Sequence, residues 1–284
     1  MNYESARSFR RALLDKVRSW RLADPERLHK RIAMERLLAR LQREPERAWV
    51  LKGGVALELR LRDSARATRD LDLGVELELG RPITAAARDV LDLLQRASEQ
   101  PVDDFFEFRV SRGPAVARGG TQALSFKVTP LIDGERFGAF KVDVGAEPMV
   151  ASVSEEVLGS GYLEFAGVSR ERFQVISISR HFAEKIHAYS RPREENTRPK
   201  DLVDLLLLAD LGFPTASLVR ADVESVFATV DSHPIPLTLP DPPENWHGPI
   251  SELAAGTGLG PLSLAQATAR ITKLWKELGY EEKQ

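Results

Sequence analysis

The sequence predicts an α/β (α+β) fold, in which a mixed sheet flanked by helices is followed by a mainly helical second half. Three observations carry this prediction. Two amphipathic helical patterns lead the chain, short β-branched or alternating runs broken by Gly and Pro fill residues 105–144, and apolar helical patterns follow from about residue 178. A chain of 284 residues, 43% of them apolar, can bury a large core.

Local periodicity and capping signals define the expected elements. Asp24 can cap and Pro25 can open the second of the two leading helices. The first half is expected to contain helices at 4–20, 26–43, 54–62 and 83–97, a strand at 70–75, and strands within 105–144. The second half is expected to contain helices at 178–190, 200–212, 214–228 and 262–278. We expect two domains, residues 1–165 with the basic leading helices and residues 166–284.

The composition excludes several classes of protein. The chain has no cysteine, which rules out disulfides, thiolate nucleophiles and cysteine metal sites and fits a reducing cytosol. It has no apolar run of about 18 residues and no secretory signal, so we expect a cytoplasmic protein with no membrane partner. The net charge of −2 conceals an uneven distribution, because residues 1–50 hold thirteen Lys and Arg against seven Asp and Glu.

Two aspartates near residue 70 are the first sign of chemistry. Asp70 and Asp72 are two apart on an expected strand, so both carboxylates leave one face while Leu71 and Leu73 enter the core. Carboxylates on one face repel each other unless a cation lies between them, and oxygen ligands of this kind suit Mg²⁺. Taken alone, such a pair is more often two surface aspartates of a solvated turn.

Two further features complete the pattern. Lys52-Gly53-Gly54 precedes a helix, so backbone N–H groups can bind a phosphate where no Cβ obstructs it, although ordinary turns also use glycine pairs. Asp143, in the run FKVDVG, can present a third carboxylate from a neighbouring strand. Three carboxylates beside a phosphate-binding turn predict metal-assisted displacement at phosphorus.

Together these residues resemble the nucleotidyltransferase superfamily of DNA polymerase β type, and within it the AbiEii/AbiGii toxin branch that includes the MenT-like toxins. Besides Asp143, the resemblance is carried by KGGVAL (52–57), TRDLDL (68–73), HFAEKIHA (181–188) and RPKDLVDL (198–205), in the family's order. It implies a nucleotidyltransferase-type mixed sheet, followed by a helical lobe that completes the active site.

The resemblance also implies roles for residues of the first half. The implied ligands of Mg²⁺ or Mn²⁺ are Asp70, Asp72 and Asp143. The implied contacts to the phosphates of an NTP are Lys52, Gly53 and Gly54. Thr68 can face the same site, and in MenT-like toxins a hydroxyl near this point can be the target of an inactivating phosphorylation by the antitoxin. A phosphate there would repel a triphosphate, although Thr is also an ordinary strand residue.

In the second half, the resemblance implies that Lys185 neutralises triphosphate charge, a role suited to electrostatic stabilisation of phosphoryl transfer. Asp201 is implied as a polar or acid–base group, with Asp204 as a further candidate on the same helix face. Without the resemblance, Lys185 is most simply an exposed lysine and Asp201 an acid in the first turn of a helix.

MenT-like toxins add nucleotides, often pyrimidines, to the 3′ end of tRNA. The resemblance therefore implies tRNA, an NTP and a cognate antitoxin as partners, and a block of aminoacylation and translation. The basic leading helices could track RNA phosphates, while Trp20 and Trp49 could stack on bases or lie in the core. The cations concerned are Arg7, Arg10, Arg11, Arg18, Arg27, Lys30 and Arg31.

Two alternatives stay open at the level of sequence. The same metal site could act on a small-molecule or protein hydroxyl, or the chain could be a non-catalytic module that binds a nucleotide or an antitoxin. The five histidines show no ligand spacing that would assign them to a metal, and no Ser-His-Asp pattern, Walker loop or GxGxxG is present. We therefore expect the nucleophile to belong to the acceptor.

Overall fold

The computed structural model describes residues 1–20, 24–44, 48–76, 86–113, 116–118, 121–147, 150–192, 198–230 and 232–281. The chain packs as two compact units. The first unit takes in most of the described residues up to Val175. The second takes in Arg60–Arg66 and most of the described residues from Ile176 onward.

Helices precede and interrupt the strands in the first half of the chain. They are α1 (Ala6–Ser19), α2 (Pro25–Leu41), α3 (Gly53–Leu61), α4 (Ala87–Ser98) and α5 (Val150–Val153), with short 3-10 turns at Arg62–Ser64 and Glu164–Ala166. Asp24 caps α2 by accepting from the Arg27 N–H, and Pro25 occupies the first turn, as the sequence predicts. Residues 83–85 of the helix predicted at 83–97 lie outside the described residues.

Nine strands of the described residues form one mixed sheet. They are β1 (Trp49–Lys52), β2 (Asp70–Val75), β3 (Glu107–Arg112), β4 (Val116–Arg118), β5 (Thr121–Ile132), β6 (Glu135–Arg136), β7 (Phe140–Ala146), β8 (Ser154–Leu158) and β9 (Arg172–Ile176). Their order is β3-β5-β7-β2-β1-β9-β8, and both β4 and β6 pair with β5. Strand β2 is antiparallel to β1 and parallel to β7, which makes the sheet mixed, as predicted.

One face of the sheet is core. Leu71, Val142 and Phe126 are cross-strand neighbours on β2, β7 and β5, and none is more than 1% exposed. Burying each such side chain stabilises the fold by roughly 1.5–3 kcal/mol. Because a slip of one residue would turn these side chains outward, their burial fixes the register in which the opposite face presents its polar groups.

The second unit is mainly helical, as predicted. Its helices are α6 (Ile178–Ser190), α7 (Pro199–Leu211), α8 (Ala216–Val230), α9 (His247–Ala255) and α10 (Leu264–Glu277), with a 3-10 turn at Glu244–Trp246. The eight consecutive residues of α7 from Asp201 to Leu208 are all buried, so this stretch of the helix is enclosed on every side. Across the described parts of the chain, no helix combines the length and the apolar character needed to cross a bilayer.

Candidate active site

The aspartates of β2 lie on the face of the sheet opposite the core. Asp70 and Asp72 are half-buried, whereas Leu71 and Leu73 between and after them are at most 2% exposed. The alternation predicted from the sequence is therefore present. We call the face that carries Asp70, Asp72 and Asp143 the carboxylate face.

Asp143 is the direct cross-strand neighbour of Asp72. Strands β2 and β7 are parallel and adjacent, and neighbouring strands lie about 4.8 Å apart, so the two side chains leave the carboxylate face side by side. Ser125 of β5 is in register with Asp143, and Lys52 of β1 is in register with Asp72. One row across four strands therefore reads Ser125, Asp143, Asp72, Lys52.

The chemistry of this row fits a hard divalent cation. Mg²⁺ commonly binds one or two carboxylates and completes its shell with water and substrate phosphates. Within the described residues, no three Asp, Glu or His side chains are arranged to hold a metal ion by themselves. The Asp72–Asp143 pair, with Asp70 two residues along β2, suits a metal ion that completes its coordination with substrate oxygens. It suits less well a metal ion held by protein ligands alone.

The glycine pair packs directly against the residues of β2 and the turn before it. Gly53 has a φ of +64°, and a Cβ at this position would overlap the Asp72 carboxylate. A Cβ on Gly54 would overlap the Thr68 side chain in the same way. Glycine is thus required at both positions, and the N-terminus of α3 lies against the carboxylate row. The first N–H groups of a helix have no partner within it, so this position can receive a phosphate.

Lys52 is held by a carboxylate that the sequence analysis missed. Its Nζ lies 2.9 Å from Oε2 of Glu147. Glu147 is 3% exposed, and its N–H donates to the carbonyl of Val75 at the end of β2. Nothing in the sequence around Glu147 predicts that it pairs with a lysine 95 residues away. The pair forms because the sheet brings the two residues together.

A second missed residue, Glu58, anchors the approach to β2. It is 3% exposed, its Oε1 accepts from the Thr68 N–H at 2.7 Å, and its side chain pairs with Arg27 and Arg31 of α2. The sequence offered one signal for this residue, a lone acid between Leu57 and Leu59 in a largely apolar helical run. Glu58 thereby ties α2 to the residue two positions before Asp70.

This anchor corrects part of the predicted RNA surface. Arg31, expected to track phosphates, is 6% exposed and also pairs with Glu35 at 3.0 Å, so its guanidinium is committed within the first unit. Trp49 is 2% exposed and belongs to the core. Trp20 is half-buried, with its ring 5.6 Å from that of Tyr162. Arg31 and Trp49 are therefore structural residues, because they are buried and cannot reach RNA.

The Thr68 hydroxyl is enclosed. Its Oγ1 is buried and makes no hydrogen bond to the described residues, while the side chain packs against Gly54. Sequence position alone placed Thr68 beside Asp70, and the structure adds that its oxygen is turned toward the glycine pair.

In the second unit, Lys185, Asp201 and Asp204 meet in one buried ion cluster. The Lys185 Nζ lies 2.8 Å from Asp201 Oδ1 and 2.7 Å from Asp204 Oδ2. Both aspartates are fully buried. Arg66, which the sequence analysis missed, donates to both oxygens of Asp204 at 2.6 and 2.7 Å, and Arg198 lies 3.2 Å from Asp201.

Three cations, Lys185, Arg66 and Arg198, surround the two carboxylates of this cluster. Burial by itself would lower the pKa of Lys185, but attraction to Asp201 and Asp204 outweighs it and raises the pKa. Burial would likewise raise the pKa of Asp204, but Lys185 and Arg66 hold it well below its usual range. Lys185 and Asp204 are therefore both charged at neutral pH.

Solved structures resemble this chain over nearly its full length. MenT4, a nucleotidyltransferase toxin from Mycobacterium tuberculosis H37Rv, superposes with a TM-score of 0.56 at 18% identity, covering 95% of this chain and 97% of MenT4. JHP933 from Helicobacter pylori gives a TM-score of 0.45 at 15% identity, covering 90% of this chain and 97% of JHP933. At this level of identity, the similarity to MenT4 establishes the fold alone.

The sequence itself matches a protein family. No curated protein sequence matches the chain significantly. The profile described as nucleotidyl transferase AbiEii toxin, type IV toxin–antitoxin system, matches residues 36–268, and membership implies a nucleotide substrate and an antitoxin partner. Because the match covers well over half of the sequence, the chain belongs to the AbiEii nucleotidyl transferase toxin family.

Proposed function

We propose that this toxin transfers a nucleoside monophosphate from an NTP, preferably a pyrimidine NTP, to the 3′ end of tRNA, so that aminoacylation and translation stop. Family membership supports nucleotidyl transfer, and the resemblance to MenT-like toxins supports tRNA as the acceptor. The observation that carries the proposal is the Asp72–Asp143 register, with the Gly53 turn packed against Asp72.

In this mechanism the oxygen of the tRNA 3′-hydroxyl attacks the α-phosphorus of the NTP. A new phosphorus–oxygen bond forms, the hydroxyl proton passes to water, and pyrophosphate leaves as the bond between the α-phosphorus and the bridging oxygen breaks. Asp70, Asp72 and Asp143 would hold Mg²⁺ or Mn²⁺, which would lower the pKa of the attacking hydroxyl and stabilise the developing charge. Gly53 and Gly54 receive phosphate oxygens at the N-terminus of α3.

Lys52 and Glu147 belong to the same proposal. Glu147 pairs with the Lys52 ammonium, and Lys52 is in register with Asp72, so this cation is proposed to face the nucleotide phosphates. Lys185 is proposed to neutralise triphosphate charge, which is supported by the raised pKa that keeps its ammonium charged between Asp201 and Asp204. Asp201 is proposed as a polar or acid–base group and Asp204 as its companion, and a cognate antitoxin and a cytoplasmic location complete the proposal.

The test is direct. Purified protein is incubated with total tRNA, Mg²⁺ and each α-³²P-labelled NTP in turn, and the products are separated on a denaturing gel. We expect label to enter tRNA with the wild type and with Asp92→Asn, which alters an exposed acid of α4, but not with Asp72→Asn. Label that enters tRNA equally with Asp72→Asn would overturn the site.

A pyrophosphate-release assay on the same protein, with protein and small-molecule hydroxyls as further acceptors, separates the alternatives. If no RNA is labelled but pyrophosphate is released in the presence of a protein or small-molecule hydroxyl, the acceptor in the proposal is wrong and the metal site stands. If the protein binds NTP without releasing pyrophosphate under any condition, the chain is a binding module and catalysis is excluded.

A further inference from the structure

Exposed cations continue the carboxylate face beyond the aspartates. Lys141 of β7 is the register partner of Asp70, and Lys127 of β5 is the register partner of Lys141. Arg109 of β3 is in register with Thr129, two residues along β5 from Lys127, and therefore points to the same face. All three cations are exposed.

This arrangement is costly for the protein on its own. Lys127 and Lys141 stand directly opposite each other on antiparallel strands, and like charges in that position destabilise a sheet. Neither lysine, nor Arg109, forms an ion pair with any residue in the described part of the chain. Asp70 beside Lys141 is the acid nearest in register, and it belongs to the proposed metal site. An external anion would offset the repulsion.

The position of these cations on the sheet indicates which anion they would bind. In the strand order, Lys52 and the glycine pair lie on the β1 side of Asp72, whereas Lys141, Lys127 and Arg109 lie on β7, β5 and β3, on its other side. The proposed phosphates of the NTP occupy the β1 side. The cations therefore flank the direction from which the second substrate, whose hydroxyl attacks at the carboxylates, would approach.

We propose that Lys141, Lys127 and Arg109 bind the phosphate backbone of the acceptor RNA next to its reacting 3′ end. The inference rests on the proposed function and names the surface that the acceptor uses. Three cations on three successive strands cover roughly 10 Å across the sheet, enough to contact several phosphates of an RNA strand. A polyanion that releases counterions at these positions gains affinity without base recognition.

The test is the salt dependence of RNA binding. The dissociation constant of 5′-labelled tRNA is measured by fluorescence anisotropy over a range of KCl concentrations, for the wild type and for Arg109→Ala/Lys127→Ala/Lys141→Ala. Each lost phosphate contact should reduce the slope of log K against log salt by about 0.7–0.9. We expect a reduction of about 2 to 3 in the triple variant, with the KM for NTP unchanged.

Matched controls exist in the same chain. Arg112 is exposed on the same strand as Arg109 but, three residues away, on the opposite face. Arg112→Ala/Lys273→Ala/Lys276→Ala removes an equal charge from exposed positions elsewhere and should keep the wild-type slope. The melting temperature of the triple variant should be equal to or above that of the wild type, because a like-charge pair is removed. Such a value would show that loss of binding is not caused by unfolding.

The outcomes separate this inference from the function on which it rests. A wild type that labels tRNA, together with a triple variant that keeps the full salt slope, overturns the RNA surface and leaves the proposed function intact. A triple variant with an increased KM for NTP and unchanged RNA binding also overturns it, because the cations would then serve the nucleotide. A wild type that labels no RNA overturns the proposed function, and the slope still decides whether this surface binds RNA.

Discussion

Asp72 and Asp143 are aligned in register on two parallel strands that are adjacent in the sheet but 71 residues apart in sequence. Their carboxylates leave the same face side by side, against the glycine turn that opens α3. Two carboxylates placed in this way repel each other, and a divalent cation bound between them would relieve that repulsion. The arrangement makes metal dependence the first property to measure.

We expect Mg²⁺ together with an NTP to raise the melting temperature of the wild type, because the metal and nucleotide bind the folded state. Asp143→Asn should lose most of this increase and reduce nucleotide transfer by at least about 10²–10³-fold, the range typical for loss of one electrostatic group at a reacting centre. Asp92→Asn should behave as the wild type, and chelation of the metal should make all three proteins alike. A full melting-temperature increase in Asp143→Asn would remove this residue from the metal site.

Gly53→Ala should displace Asp72. Gly53 and Gly134 have similar positive φ angles, +64° and +71°, so an alanine at either position costs roughly 1–2 kcal/mol of backbone strain. Only at Gly53 would the new Cβ meet the Asp72 carboxylate, whereas nothing lies within 4 Å at Gly134. We expect Gly53→Ala to be destabilised at least as much as Gly134→Ala, and only Gly53→Ala to lose transfer activity, by about 10²-fold. Equal activity in the two variants would contradict the contact.

Asp204→Asn should make the free energy of unfolding less sensitive to pH in the acid range. The folded-state pKa of Asp204 lies below its ordinary value of 3.8, so its charge stabilises the fold above about pH 4, and the stabilisation is lost as the pH falls through the folded-state pKa. We expect the free energy of unfolding to fall by about 3–5 kcal/mol at pH 7, because Lys185 and Arg66 lose a buried counter-charge. The difference from the wild type should shrink below pH 4.

The control for this prediction is Asp210→Asn. Asp210 pairs with Arg270 at 2.6 Å, but both side chains are more than 40% exposed. An exposed pair contributes at most about 1 kcal/mol, so chemical denaturation should show a small loss. An equally large loss in both variants would mean that burial of the Lys185 cluster does not decide its strength.

Thr68→Val should retain or increase stability. The buried Thr68 oxygen makes no hydrogen bond to the described residues, and replacing an unsatisfied hydroxyl with a methyl group of similar shape removes a cost of about 1–2 kcal/mol. Because the hydroxyl is enclosed, we also expect Thr68→Val to keep wild-type nucleotide transfer. Thermal unfolding and the tRNA labelling assay check the two expectations, and a loss of transfer in the folded variant would assign the hydroxyl a role in binding substrate.

The fold was largely predictable from local patterns. Alternation placed Asp70 and Asp72 on one face and Leu71 in the core, and Asp24-Pro25 marked the start of α2. The motif order also gave the family, since KGGVAL and TRDLDL are short, ordered and chemically constrained. Such features are local because periodicity, capping and backbone permissiveness act over a few residues.

The tertiary structure decided which residues meet. No local pattern pairs Lys52 with Glu147, Glu58 with Thr68 and Arg31, or Arg66 with Asp204, because each pair is formed by packing across the fold. The predicted RNA surface shows the same limit, since Arg31 is a cation on an amphipathic helix that proves to be buried. The sequence determined the chemistry available to this protein, and strand register and burial decided how that chemistry is arranged, because both depend on contacts between residues that are far apart in the chain.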